Sequence, residues 1–409
     1  MASPRRTFDT TSILNIVNLL RADTASASFL FDTAENPFSG GQCLIYVVGF
    51  PDGTTWGVRI PAHASHLLPE VVTNEVKNEV SILKHLETAG FSWSPRVIGY
   101  DCSFNNLLEY PYMVLTWVHG KPLKWSDSVP VRREDRRKVL SQMANIILEL
   151  AESTRETSST TALGYLTDKI DRKIVRVSRG QVPNVQLRDC FVQRALVRSK
   201  VVHSALDEQP YMVTSHSDLA GQNIIVDDEY NIKGIIDWGF ACQLPLQFAV
   251  GLPRFLEIEP RELDPPTSPV DLLAFSFEFL QLSPVRMTDR EDLIGSLPQS
   301  EAGIVPRTAH TVLSAPDVDW RNLMYQAAGS KGLHKWMAGK NWLLSRDTDI
   351  PTNSDLEREV EEFLEGPIGR IIGLSSEQLF GDMYGGVLDE HQYSLIARIR
   401  FWAAQRLVM

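Results

Sequence analysis

Three oxygen-bearing side chains, Asp218, Asn223 and Asp237, stand at a spacing that could do chemistry. They lie in T-S-H-S-D-L-A-G-Q-N-I-I-V-D-D-E-Y-N-I-K-G-I-I-D-W-G, residues 214–239. Residues 223–227 read as a short apolar strand, 228–231 as a turn and 232–236 as a second strand. Asp227 and Asp228 are then turn residues. Folding the hairpin back brings Asn223 and Asp237 together at its open end. Phosphoryl transfer needs such a set: a carboxylate to orient and deprotonate an acceptor, and oxygen ligands to hold magnesium on nucleotide phosphates. Asp218 suits the first task. Asn223 and Asp237 suit the second, because magnesium takes hard oxygen ligands and often only one or two carboxylates. His216 fits a bracing role, through hydrogen bonds within the loop. H-x-D alone arises often by chance; the joint spacing carries the inference.

Other elements must position these residues. A helix is expected around residues 12–20 and a β-hairpin over 38–60. In the hairpin, Gly40 and Gly41 open the first arm, 43–48 is strongly β-forming and Pro51-Asp52-Gly53 is the turn. Residues 71–87 read as a helix with Val72, Val76, Val80 and Leu83 on one face. Glu79 falls on the edge of that stripe. It either meets a cation or reaches water at a rim, because an unpaired buried charge is very costly. Strands follow at 95–99 and 112–118, with a boundary between lobes at the break after Val118. Helices are expected at 134–152, 187–206, 354–365 and 390–407. The third carries an expected capping box of Ser354 with Glu357. Residues 255–310, rich in proline and acidic residues, read as loops and short helices.

Residues 216–238 resemble the catalytic and metal-binding segment of the aminoglycoside phosphotransferase-like (choline kinase-like) enzymes. The resemblance extends more loosely over about 40–250. It implies an α+β, bilobal, protein-kinase-like fold. Residues 1–118 would form a small antiparallel β lobe with one helix, and residues 119–409 a larger, mostly helical lobe. It further implies that ATP and Mg2+ are bound, with Asp218 the catalytic aspartate and Asn223 and Asp237 the magnesium ligands. Arg59, in W-G-V-R-I, matches the basic strand residue that meets the ATP phosphates, and Glu79 its helix partner. Thr116, Trp117 and Val118 would flank the adenine, and Gly40 and Gly41 would cover the phosphates. Three departures stand out: Arg59, where protein kinases use lysine; Ser217, where the family usually has glycine; and Gly239, where many relatives have glutamate.

Composition bounds the alternatives. The chain has 409 residues and a net charge of -11, which disfavours a nucleic-acid partner. The four cysteines show no C-x-x-C spacing, so reduced thiols in the cytoplasm fit better than a zinc site or a secreted disulfide framework. No apolar run long enough for a membrane span is present. We expect a monomer or weak homodimer acting on a small-molecule acceptor. The alternative is a nucleotide-binding scaffold with little transfer activity. A protein kinase is disfavoured, because D-F-G and A-P-E are lacking. The acidic run of Glu257, Glu259, Glu262 and Asp264 reads first as a solvated loop and second as a surface for a cationic acceptor.

Overall fold

A computed structural model describes residues 8–40, 42–62, 68–200, 211–249, 253–256, 320–343 and 351–372, with positions 271, 274–275, 376 and 379. In chain order the first elements are α1 (Thr10–Leu19), β1 (Ser28–Phe29), β2 (Phe38–Ser39), β3 (Cys43–Gly49), β4 (Thr55–Pro61) and α2 (Pro69–Thr88). Next come β5 (Val97–Asp101), β6 (Tyr112–Thr116), β7 (Lys121–Pro122), α3 (Arg133–Ser153), β8 (Glu156–Thr157), α4 (Ala162–Ser178) and α5 (Leu187–Lys200). The motif region supplies β9 (Tyr211–Ser215), β10 (Ile224–Val226), β11 (Ile232–Ile235) and β12 (Cys242–Pro245). Further helices span Trp320–Gly329, Lys331–Gly339, Asn353–Glu365 and Pro367–Ile372. Among the described residues, no helix is long and apolar enough to cross a membrane.

The chain divides into two compact units. The first joins residues 1–154 with 214–243 and 253–255. Its antiparallel sheet runs β1-β3-β4-β6-β5, with β2 also paired to β3. Side chains alternate across a strand, so Trp56, Val58 and Ile60 of β4 turn into a core with Leu44, Tyr46 and Val48, while Gly57 and Arg59 share the opposite face. On α2, Val72, Val76, Val80 and Leu83 are buried as their spacing predicts, and Glu79 is buried among them.

The second unit comprises residues 155–213, 244–252 and 256–409. It contains α4, a helix that the sequence reading did not predict. Its signals are an N-cap at Thr161, whose hydroxyl accepts from Gly164 N, and an apolar face of Leu166, Ile170, Ile174 and Val177. The helix expected at 354–365 starts one residue earlier, and its capping box pairs Thr352 with Asp355 rather than Ser354 with Glu357. Thr352 wins because it sits in extended backbone just before the first turn, which is where an N-cap must be. The helix expected at 187–206 is described over Leu187–Lys200. The helix expected at 390–407 and most of 255–310 lie outside the described residues.

A buried histidine in this unit sets an acid limit on stability. His334 is fully buried, edge-on to Trp342 at 5.1 Å, with Nδ1 3.2 Å from Gln193 Oε1. Gln193 Nε2 donates to Met324 O, so its oxygen faces the histidine and Nδ1 carries the proton. Nε2 is buried with no partner. Burial, helped by the charge of Lys173, pushes the imidazole down to about 3 from 6.5. The unfolded chain therefore binds more protons than the native one between those values, and stability falls as pH drops through that window. Urea midpoints measured from pH 7 to pH 4 should fall steadily, and His334→Gln should flatten part of that slope.

Candidate active site

The residues singled out by the sequence fall in the first unit as two groups joined by a histidine. The first centres on Arg59. Its Nη2 lies 2.6 Å from Asp237 Oδ1 and 3.3 Å from Glu79 Oε2. Burial works against the Arg59 charge, yet Glu79, Cys43 and Asp237 together hold its pKa above the ordinary value. Burial raises Glu79, opposed by the Arg59 guanidinium and the Trp238 amide. The Cys43 thiol in the same pocket is pushed up to about 11, mainly by burial. Arg59 Nε is buried without a hydrogen-bond partner, a donor suited to an oxygen such as one on a phosphate.

The second group centres on Asp218. Asn223 Nδ2 donates to the Asp218 carbonyl at 2.9 Å and to its Oδ2 at 3.2 Å. Because only the amide nitrogen can donate to those oxygens, Asn223 keeps its own Oδ1 as the atom to offer a cation. Arg254 Nη1 lies 2.5 Å from Asp218 Oδ1. The sequence reading missed this arginine. It stands 36 residues from Asp218 in a segment that carries no recognisable pattern.

His216 ties the groups together. Its Nε2 is 2.9 Å from Ile236 O, and Asp218 N donates to its Nδ1 at 3.3 Å. A carbonyl can only accept, so Nε2 carries the proton and the ring is neutral. Burial lowers its pKa, consistent with that state. Trp238, fully buried, packs edge-on against both His216 and Phe91 and donates from Nε1 to Ile235 O. Gly239 lies against the ion pair: a Cβ there would stand 3.4 Å from Glu79 Oε2. The departure from glutamate at this position therefore keeps a third carboxylate away from the Arg59 cluster.

The hairpin beneath is locally determined. Asp227 accepts from Glu229 N and Asn231 N and closes the turn. Ile236 N donates to Asn223 O at 2.9 Å, which draws the open end together beside Asp237. Gln142 of α3 accepts from Ile232 N. Ser217 and Asp237 both adopt left-handed backbone, at φ 61° and 67°. That geometry explains why glycine is usual at the first of them, and serine there costs about 1 kcal/mol.

The remaining expected residues are more dispersed. Thr116 ends β6, and its hydroxyl accepts from Arg96 N. Trp117 N donates to Thr55 O, and its ring lies over Gly57 and stacks on Phe38 at 5.8 Å and 13°. Val118 packs where a Cβ on Gly234 would meet it at 3.0 Å. Gly40 N donates to Cys43 O, closing a turn, and a Cβ on Gly40 would meet nothing within 4 Å. Gly41 lies outside the described residues. Among the described residues, no group of three or more His, Cys, Asp or Glu could hold a metal ion. Asn223 and Asp237 instead offer one amide oxygen and one carboxylate, which fits a magnesium ion shared with phosphates and water.

The fold is of the α+β, protein-kinase-like class. A solved structure of a presumed aminoglycoside phosphotransferase from Ralstonia eutropha JMP134 superimposes with a TM-score of 0.51 at 11% identity, covering 93% of this chain and 99% of that one. The streptomycin–ATP ternary complex of APH(2″)-IIa aligns at 0.45 with 11% identity, covering 91% and 99%. Macrolide 2′-phosphotransferase type I aligns at 0.42 with 16% identity, covering 84% and 100%. No curated protein matched the sequence. The family model APH, the phosphotransferase enzyme family, matches residues 37–248, just over half of the chain, and the protein belongs to that family.

The hairpin's register rests on a close approach at Gly120. Its φ is +140°, and a Cβ would lie 2.5 Å from Val226 O. Gly120→Ala should destabilise the protein by about 2 kcal/mol through strain and displacement of β10. Gly40→Ala, with open space around it, should change the urea midpoint little.

Proposed function

We propose that this phosphotransferase moves the γ-phosphoryl group of ATP to a hydroxyl or amine of a small molecule, with Asp218 as the base. The observation that carries the reading is the pairing of Asp218 with Asn223 on the loop before the hairpin, while Asp237 at its far end meets Arg59. Residues 1–118 would serve as the nucleotide-binding lobe and 119–409 as the catalytic and acceptor lobe.

Arg59 would turn its buried, unpartnered Nε and its charge toward the phosphates, held in place by Glu79. Gly40 and Gly41 would cover them. Thr116, Trp117 and Val118 would flank the base, with the Trp117 ring beside the bare backbone of Gly57. Asn223 Oδ1 and the Asp237 carboxylate would hold magnesium. Magnesium, when bound, neutralises charge on the phosphates. Asp218 accepts the proton of the acceptor group as its oxygen or nitrogen bonds to phosphorus. The bond from that phosphorus to the leaving oxygen breaks, and a nucleoside diphosphate departs. His216 keeps the Asp218 loop and the Asp237 strand end in register. The four cysteines are all free thiols, which supports a cytoplasmic location.

The test is transfer of labelled γ-phosphate from ATP to a panel of hydroxyl- and amine-bearing metabolites. Asp218→Asn should lower transfer about 10²–10⁴-fold while the thermal shift caused by ATP persists. Removing divalent metal with a chelator should abolish transfer in the native protein. Full transfer by the Asp218→Asn protein would sink the assignment of the base.

A further inference from the structure

Arg254 lies beyond the residues that the family model matches. Its guanidinium nevertheless reaches the carboxylate proposed as the base, with Nη1 2.5 Å from Asp218 Oδ1. Neighbouring contacts fasten its segment to the same loop. Phe255 N donates to Leu219 O at 3.3 Å, one residue after Asp218. The Phe255 ring meets Trp125 edge-on at 5.0 Å. Trp125 in turn lies under the Arg136 guanidinium at 4.5 Å, and Arg136 donates to the carbonyls of Ser126 and Pro130. All of these residues belong to the first unit.

The consequence for Asp218 is geometric. Arg254 takes Oδ1, and Asn223 Nδ2 takes Oδ2. A carboxylate can accept about four hydrogen bonds, so each oxygen keeps one lone pair for an incoming proton. Two donors on opposite oxygens fix the plane of the group, whereas one donor leaves its terminal torsion broad. The Arg254 side chain is 54% exposed, and such a pair contributes little to folding. Orientation is what it does provide. We propose that Arg254 is a positioning residue for the transfer, clamping the Asp218 carboxylate against Asn223 so that its remaining lone pairs face the acceptor. The proposal rests on Asp218 being the base.

The test uses the full chain, with magnesium-ATP as the probe and water as the acceptor. It compares native protein, Arg254→Gln, Arg254→Lys and Asp218→Asn. Arg254→Gln should lower the hydrolysis rate constant about 10²-fold, the scale of a small misplacement of a reacting group, with KM for magnesium-ATP within about twofold. Arg254→Lys, or added guanidinium ion at millimolar concentration, should restore part of the rate; a merely structural role would not respond to the free ion. Crystal structures should show the Asp218 carboxylate ordered on Asn223 in the native protein and rotated or split in Arg254→Gln. A native-like rate in Arg254→Gln, a change confined to KM, or an undisturbed Asp218 in the variant crystal each overturns the proposal. Loss of activity in Asp218→Asn beside a native-like Arg254→Gln defeats this inference alone. A native-like Asp218→Asn defeats the base assignment and this inference with it.

Discussion

A guanidinium on the inner face of a β-sheet must be neutralised, because desolvating a cation costs several kcal/mol unless counter-charges and hydrogen bonds offset it. Arg59 occupies the centre of the first unit's sheet and is almost wholly removed from water. Two carboxylates meet it: Glu79 from α2 and Asp237 from the end of the hairpin. Three separate pieces of chain are thereby brought to one point. The helix must present Glu79 on its buried stripe, the strand must alternate so that Arg59 faces that stripe, and the hairpin must end where Asp237 can reach. Arginine also differs from lysine here. Its fork can hold two carboxylates at once and still direct another N–H elsewhere, which a compact ammonium does less well.

The same logic explains the small residues around the cluster. Gly239 admits Glu79 and Arg59 at close range, and Gly57 leaves an open backbone beneath Trp117. His216 must stay neutral to accept from Asp218 N while donating to Ile236 O, and burial keeps it so. Charge is therefore concentrated where it is paired, and the brace between the two acidic positions is uncharged. An ionised histidine in that place would set one N–H against another.

Much of this was legible in the sequence where the signal is local. The hairpin of 223–236 reads from its apolar runs and turn residues, and Glu79 from its place on a helical stripe. The α4 helix was legible too, through its cap and its period of apolar residues, but it lay in a stretch without a motif to draw the eye. What could not be read is what tertiary structure alone creates. Arg254 meets Asp218 across 36 residues through a short turn whose sequence predicts nothing. Asp237 is bound by Arg59 across 178 residues, and no spacing rule announces such a contact. The capping box forms at Thr352 rather than Ser354 because the backbone is extended at Thr352, just before the first turn, and the sequence does not announce that conformation.

The discontinuity of the first unit bears on how the protein is made. Residues 155–213 leave it to build part of the second unit before the chain returns at residue 214. Synthesis runs from the N-terminus, and domains tend to fold as they emerge. Asp218, Asn223 and Asp237 are therefore made after the strands and α2, and until then Arg59 has only Glu79 of its two counter-charges. A nascent chain stopped short of residue 214 carries Arg59 and Glu79 but not Asp237, so the three-membered ion cluster cannot close until the hairpin has been made.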